Sequence, residues 1–198
     1  MLMAIQNTTL FDDGYREDPT TLSLEAHMAE LCNHEAGVFL LSGTMGNQIA
    51  LRSLLTQPPH SVLCDHRAHI RCFEAGGVAM QTGAMVNGVV PLNGVYLTLE
   101  DIEENVIRST SVVACPTKVI SLENTLRGTI MPLKKVQRIS DFARKHGIKM
   151  HLDGARLWEA VAAGSGSLSD YGACFDSMTL CYLKGLGAPV GSILVGSK

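Results

Sequence analysis

Residues 132–155 read PLKKVQRISDFARKHGIKMHLDGA, and this stretch decides the fold class. Its first part, PLKKVQRISDFARKHG (132–147), spaces apolar residues as one face of a helix and charges the rest. Pro132 suits the first turn and Gly147 suits the end of such a helix. IKMHLDGA (148–155) then reads as a strand ending in Asp153. A helix followed by a buried strand that stops at a carboxylate is one unit of an α/β fold.

The same rhythm runs outward in both directions. Upstream, TKVISLEN (117–124) is rich in β-formers and ends at a polar tip. SVLCD (61–65) and AGVFLL (36–41) are short apolar runs. A helical pattern occupies 22–34, with Leu24, Met28 and Leu31 on one face, and another runs from Asn47 to Leu55. Downstream, DSMTLCYLK (176–184) is a strand ending in Lys184, and APVGSILVG (188–196) follows. The glycine-dotted region 76–94 has no clear pattern. Strands alternating with helices predict a three-layer α/β/α domain with a mainly parallel sheet, spanning 1–198. Such sheets gather ligands at the carboxyl ends of their strands. Four runs end in polar chemistry, at Ser42–Thr44, Glu123–Asn124, Asp153 and Lys184, which predicts one shared rim.

Composition narrows the role. The 198 residues carry a net charge of −3 and are 46% hydrophobic, which is globular. With near-neutral charge and no run of like charge, a nucleic-acid or membrane-surface partner has no electrostatic basis. The six cysteines form no CxxC pair and sit mostly in apolar runs, as reduced core residues of a cytoplasmic protein do. The N-terminus lacks a signal-peptide pattern, and no apolar stretch reaches the roughly 18 residues of a membrane span. The chain stops just after the apolar run SILVG, an ending that resembles a truncation.

Three local motifs carry chemistry. SGTMGN (42–47) joins a strand to a helix with small residues, so backbone N–H groups of the first turn can meet a phosphate. An ordinary N-cap by Ser42 or Thr44 explains the same residues. HLDGAR (151–156) sets Asp153 at a strand end with Arg156 close behind. There, Asp153 could keep a heterocycle nitrogen protonated or simply cap a helix. YLKGLGAPVG (182–191) puts Lys184 before a glycine-rich turn. Desolvation among apolar neighbours would favour the neutral amine needed for imine chemistry. In DHRAHIRCFEAGG (65–77), His66 and His69 are spaced as HxxH, but no further ligands stand at suitable spacing and no metal is expected. His69 reads better as a ring able to stack on a planar cofactor, and His66 as a structural histidine.

Taken together, these segments resemble the low-specificity L-threonine aldolases, of the aspartate-aminotransferase-like fold type of pyridoxal-phosphate (PLP) enzymes. The matching stretches are YREDPT (15–20), SGTMGNQIALR (42–52), AHIRCFEAGG (68–77), SLENTLRG (121–128), HLDGARLWEA (151–160) and LKGLGAPVGSILVG (183–196), in family order and spacing. The resemblance implies the large cofactor-binding domain, truncated at both ends. The family's opening SDT segment and its small C-terminal domain, which carries a substrate-carboxylate arginine, are not in this chain. It implies PLP held by Lys184 as a Schiff base, Asp153 at the ring nitrogen and His69 stacked on the ring. Gly43 and Thr44 would bind the phosphate. Arg156 would lie near the ring hydroxyl and the substrate carboxylate. The implied reaction cleaves L-threonine or L-allo-threonine to glycine and acetaldehyde in a homodimer or homotetramer, with residues 15–20 near the subunit interface.

Two positions depart from the family pattern: Leu126, where some members carry histidine, and Arg16, where glycine is expected. The base is left open among His69, Glu74 and a water. The same electron sink serves β-eliminating lyases, aminotransferases and racemases. An inactive relic is the third alternative.

Overall fold

The computed structural model describes residues 2–109 and 111–198. Its strands are β1 (Ala36–Leu40), β2 (Ser61–Asp65), β3 (Met85–Val89), β4 (Thr117–Glu123), β5 (Lys149–Asp153), β6 (Ser177–Cys181) and β7 (Ser192–Gly196). Among them lie helices α1 (Leu2–Gln6), α2 (Pro19–Leu31), α3 (Gly43–Leu54), α4 (His69–Cys72), α5 (Gly77–Thr82), α6 (Leu99–Asn105), α7 (Leu133–Lys145), α8 (Leu157–Ala162) and α9 (Leu168–Gly172). The strands form one sheet in the order β1-β7-β6-β5-β4-β2-β3. Neighbours pair in parallel from β3 to β6, whereas β7 runs antiparallel to both β1 and β6. The other six strands therefore run one way, and their carboxyl ends share one rim.

Strand alternation separates the two faces of this sheet. Met150 and Leu152 of β5 pack into a core with Val136 and Ile139 of α7, Leu157 of α8 and Tyr171 of α9. Val62 and Cys64 of β2 turn the other way, against Leu51 of α3 and Val78 of α5. Helices thus cover both faces, the predicted three-layer arrangement. Parallel strands need such crossovers, because a tight hairpin cannot return the chain to the same end of the sheet. Val136 and Ile139 are essentially inaccessible to solvent, which is worth about 2 kcal/mol each in transferred apolar surface.

The elements follow the expected order, with shifted boundaries. α2 begins three residues before 22, because Asp18 accepts hydrogen bonds from the amides of Thr20 and Thr21 and Pro19 occupies the first turn. It ends at Leu31, not at residue 34. α3 begins at Gly43, one turn before Asn47, because Ser42 caps it. Pro132 sits at the N-cap of α7, and Gly147 adopts the left-handed backbone (φ 65°) that ends it. β6 stops at Cys181, so Lys184 lies in the following turn. The unpatterned region 76–94 contains α5 and edge strand β3. All six cysteines are free thiols. Arg16 takes a left-handed backbone (φ 60°), the conformation that favours glycine.

Candidate active site

The rim of the parallel strands holds a cavity of about 200 Å³. The six residues expected to hold the cofactor line it: Gly43, Thr44, His69, Asp153, Arg156 and Lys184, whereas Glu74, a candidate base, is buried and does not. Asn47 and Glu123 join them.

One wall is the start of α3. Ser42 Oγ accepts the Met45 amide at 3.2 Å. Gly43 and Thr44 occupy the first turn, where helix geometry leaves N–H groups without an intrahelical acceptor. The helix presses hard on β6. A Cβ on Gly43 would come within 2.7 Å of Cys181 Sγ, and one on Gly46 within 2.6 Å of Thr179 Cγ2. Small residues are thus required for this helix end to reach the rim. A twelve-residue helix presenting its positive end to a cleft is an anion site.

Asp153 forms the floor. It is buried at the end of β5 and accepts the Ala155 amide on Oδ1 at 3.1 Å. Its Oδ2 accepts the Asn47 side-chain amide at 2.8 Å. Arg156, at the N-terminus of α8, is exposed at the rim. Lys184 lies across from it in the turn between β6 and β7, where its carbonyl accepts the Gly187 amide at 2.9 Å. The lysine is half-buried, less enclosed than its apolar sequence neighbours imply.

His69 stands at the start of α4, after β2. Two carboxylates fix it: its amide donates to Glu123 Oε2 at 2.7 Å, and Nδ1 lies 2.9 Å from Glu74 Oε1. Glu123 has its carboxyl raised to about 7. Burial is the main cause and the Asp153 charge adds to it, whereas the His69 amide, Lys184 and Arg156 pull it down. Under the floor lies His151, fully buried and lowered to about 4 by desolvation, so it is neutral at physiological pH.

The arrangement offers a lysine amine, a buried carboxylate, an aromatic ring and an anion-binding helix end around one cavity. That set suits a planar heterocycle bearing a phosphate and a carbonyl. Among the described residues, one group of possible metal ligands converges: His69, Glu74 and Asp153, within 4.8 Å of one another. Their near atoms already bond to each other or to Asn47. His66 is not part of the group and rests beside Asp65, with Nδ1 3.2 Å from Oδ1.

Sequence reasoning assigned no role to Asn47, His151 or Glu123. His151 lies two residues before Asp153, so strand alternation alone puts both on one face. Asn47 follows Gly43 by four residues, on the same side of the helix, and is a polar residue among small ones. Nothing local reveals that it meets β5.

Comparison with known proteins agrees with the geometry. The chain is 61% identical over 198 residues to the aldolase vrtJ of Penicillium aethiopicum, covering 100% of this chain and 51% of that protein. It is 52% identical to a low-specificity L-threonine aldolase of Candida albicans, covering 97% of this chain and 52% of that one. The solved structure of a Leishmania major threonine aldolase superimposes with a TM-score of 0.85 at 28% identity, over 98% of this chain and 57% of that chain. The sheet is thus the aminotransferase-like arrangement, and the chain spans about half the length of the curated relatives it matches. Residues 1–198 match the family described as Beta-eliminating lyase, and the chain belongs to that family.

Proposed function

We propose that these residues form the cofactor-holding domain of a PLP-dependent aldolase that cleaves L-threonine or L-allo-threonine to glycine and acetaldehyde. The observation that carries this reading is convergence: residues from four separate segments, 43–44, 69, 153–156 and 184, line one cavity. When bound, the cofactor supplies an electron sink for the bond broken at the substrate α-carbon. The first turn of α3 binds its phosphate, with Gly43 giving the close approach and Thr44 a hydroxyl. Asp153 holds the ring nitrogen in its protonated form. His69 presents its ring to the cavity, and Lys184 is the amine that anchors the cofactor covalently. Arg156 offers a guanidinium to the ring hydroxyl and the substrate carboxylate.

Cleavage takes a proton from the β-hydroxyl and returns one to the α-carbon, so a group able to do both near neutral pH is needed. Glu123 meets that requirement from within the cleft. Free thiols support a reducing cytoplasmic setting. No helix among the described residues is long and apolar enough to cross a membrane. Exposed Leu10, Phe11 and Tyr15 near the N-terminus support assembly into a homodimer or homotetramer.

The test is spectroscopic. Purified chain mixed with PLP should gain a visible absorption band that borohydride traps at Lys184, and Lys184→Ala should give neither. Acetaldehyde release from L-threonine and L-allo-threonine then identifies the reaction. A folded parent that forms no band with PLP overturns the cofactor assignment. Keto acid and ammonia in place of glycine and aldehyde would redirect the reaction to another lyase of the same cofactor.

A further inference from the structure

We propose that Asn47 is a positioning residue of this cleft, a single buried carboxamide that aims Asp153 at the cofactor ring nitrogen and joins it to the Glu74–His69 pair. This inference rests on the proposed cofactor assignment.

Asn47 is 1% exposed, on the second turn of α3. Its side-chain nitrogen donates to two carboxylates at once: Asp153 Oδ2 at 2.8 Å and Glu74 Oε1 at 2.9 Å. Both protons of the amide are thereby used. Its oxygen Oδ1 lies 3.1 Å from His151 Nε2.

The orientation of a carboxamide is ordinarily ambiguous, and here the partners decide it. The opposite orientation would set the carbonyl oxygen against two carboxylates. With the nitrogen toward the acids, His151 must donate from Nε2. Its Nδ1 then accepts from the Ser177 hydroxyl, 2.9 Å away. The ring is buried and its value is lowered to about 4, so this neutral tautomer persists above that pH. The result is a relay with one direction, from Ser177 through His151 and Asn47 to both carboxylates. Its members come from β6, β5, α3 and the loop after α4.

The consequence reaches the cleft on two sides. Asp153 keeps its other oxygen on the Ala155 amide, so Asn47 fixes the rotation of the whole carboxylate. Glu74 Oε1 is shared between Asn47 and His69 Nδ1. The same amide therefore sets the carboxylate that orients the His69 ring. A purely structural asparagine would satisfy buried groups without favouring one ligand over another. A positioning residue should matter most for a ligand that meets Asp153.

That difference can be measured by equilibrium binding of PLP and of its 1-deaza analogue, which keeps the aldehyde and phosphate but has carbon in place of the ring nitrogen. The parent should bind PLP more tightly than the analogue by roughly 10- to 100-fold, the value of a charge-assisted hydrogen bond. Asn47→Ala should lose most of that preference while its affinity for the analogue changes little. Circular dichroism checks the fold. If Asn47→Ala does not fold, Asn47→Ser carries the same expectation, since its short hydroxyl cannot reach both carboxylates. Equal loss for both ligands in a folded variant, or an unchanged preference, overturns the positioning role and leaves the cofactor assignment standing. A parent that binds both ligands equally overturns Asp153 as the ring-nitrogen partner, and the inference with it.

Discussion

Asn47 and Asn124 are each 1% exposed, and they lie on opposite faces of the same sheet. Asn124 bonds mainly to backbone. Its amide nitrogen donates to the Met131 carbonyl at 3.2 Å, and its oxygen accepts the Met131 amide at 3.1 Å. The Tyr171 hydroxyl lies 3.3 Å from the same nitrogen. These bonds close the loop between β4 and α7 over the larger apolar core. Asn47 instead bonds to two acids and a histidine. One residue type at one degree of burial thus does two jobs. Backbone groups and a phenol as partners make a structural clamp, and carboxylates with an imidazole as partners make a device for setting charges. Burial alone does not distinguish them.

The largest effect expected from this contrast is on stability. Asn124→Ala leaves the buried Met131 amide without its acceptor and the Met131 carbonyl with only the Tyr171 hydroxyl, 3.4 Å away, and should cost about 3 kcal/mol. Chemical denaturation would show it as a lower midpoint at unchanged slope. Any folded Asn124→Ala protein should keep the parent's preference for PLP over the 1-deaza analogue. Loss of that preference would break the contrast between the two asparagines.

A smaller effect should separate two groups on the cleft side by pH. Glu123 has a folded value of about 7, above its unfolded value, so the native state holds its proton longer. Its contribution is fully present at low pH and is lost as pH rises toward 7. His151 has a folded value of about 4, below its unfolded value. The native state there resists protonation, and stability is lost as pH falls from about 6.5 toward 4. The two slopes oppose each other over the shared window. Glu123→Gln removes one of them. It should raise stability at pH 8 by about 2 kcal/mol and leave a steeper loss on acidification. Denaturant curves at pH 5, 6.5 and 8 would check this, and a variant with the parent's pH profile would remove Glu123 as a proton carrier.

The smallest effect should come from a residue that neither face uses. Arg16 is left-handed, and its exposed guanidinium makes a long contact, 3.5 Å, to the buried Glu25 carboxylate. Arg16→Gly relieves the backbone strain but gives up the contact to Glu25, so the net gain should stay below ~1 kcal/mol, read as a small rise in Tm. Cofactor binding should not change.

Much of this molecule was legible in its sequence. The pattern at 132–155 required a helix followed by a strand ending in Asp153. The apolar runs ending at Ser42, Glu123, Asp153 and Lys184 are enough to place those groups on one rim. Boundaries were less legible. Asp18 starts α2 earlier than the apolar spacing implies, and Ser42 does the same for α3, because capping depends on side-chain to backbone bonds that periodicity does not register. The region 76–94 was obscure because its glycines weaken every local preference.

The sequence by itself determined the alternation of elements, since hydrophobic periodicity is local, and the identity of the strand-end residues, since they are simply the next ones in the chain. Only the tertiary structure decided that Asn47 meets Asp153, 106 residues away, and His151, 104 residues away. It also decided that burial and a neighbouring carboxylate raise Glu123 to about 7. Hydrogen-bond partners and desolvation are properties of the space around a group, and packing β5 and β6 beneath α3 creates that space.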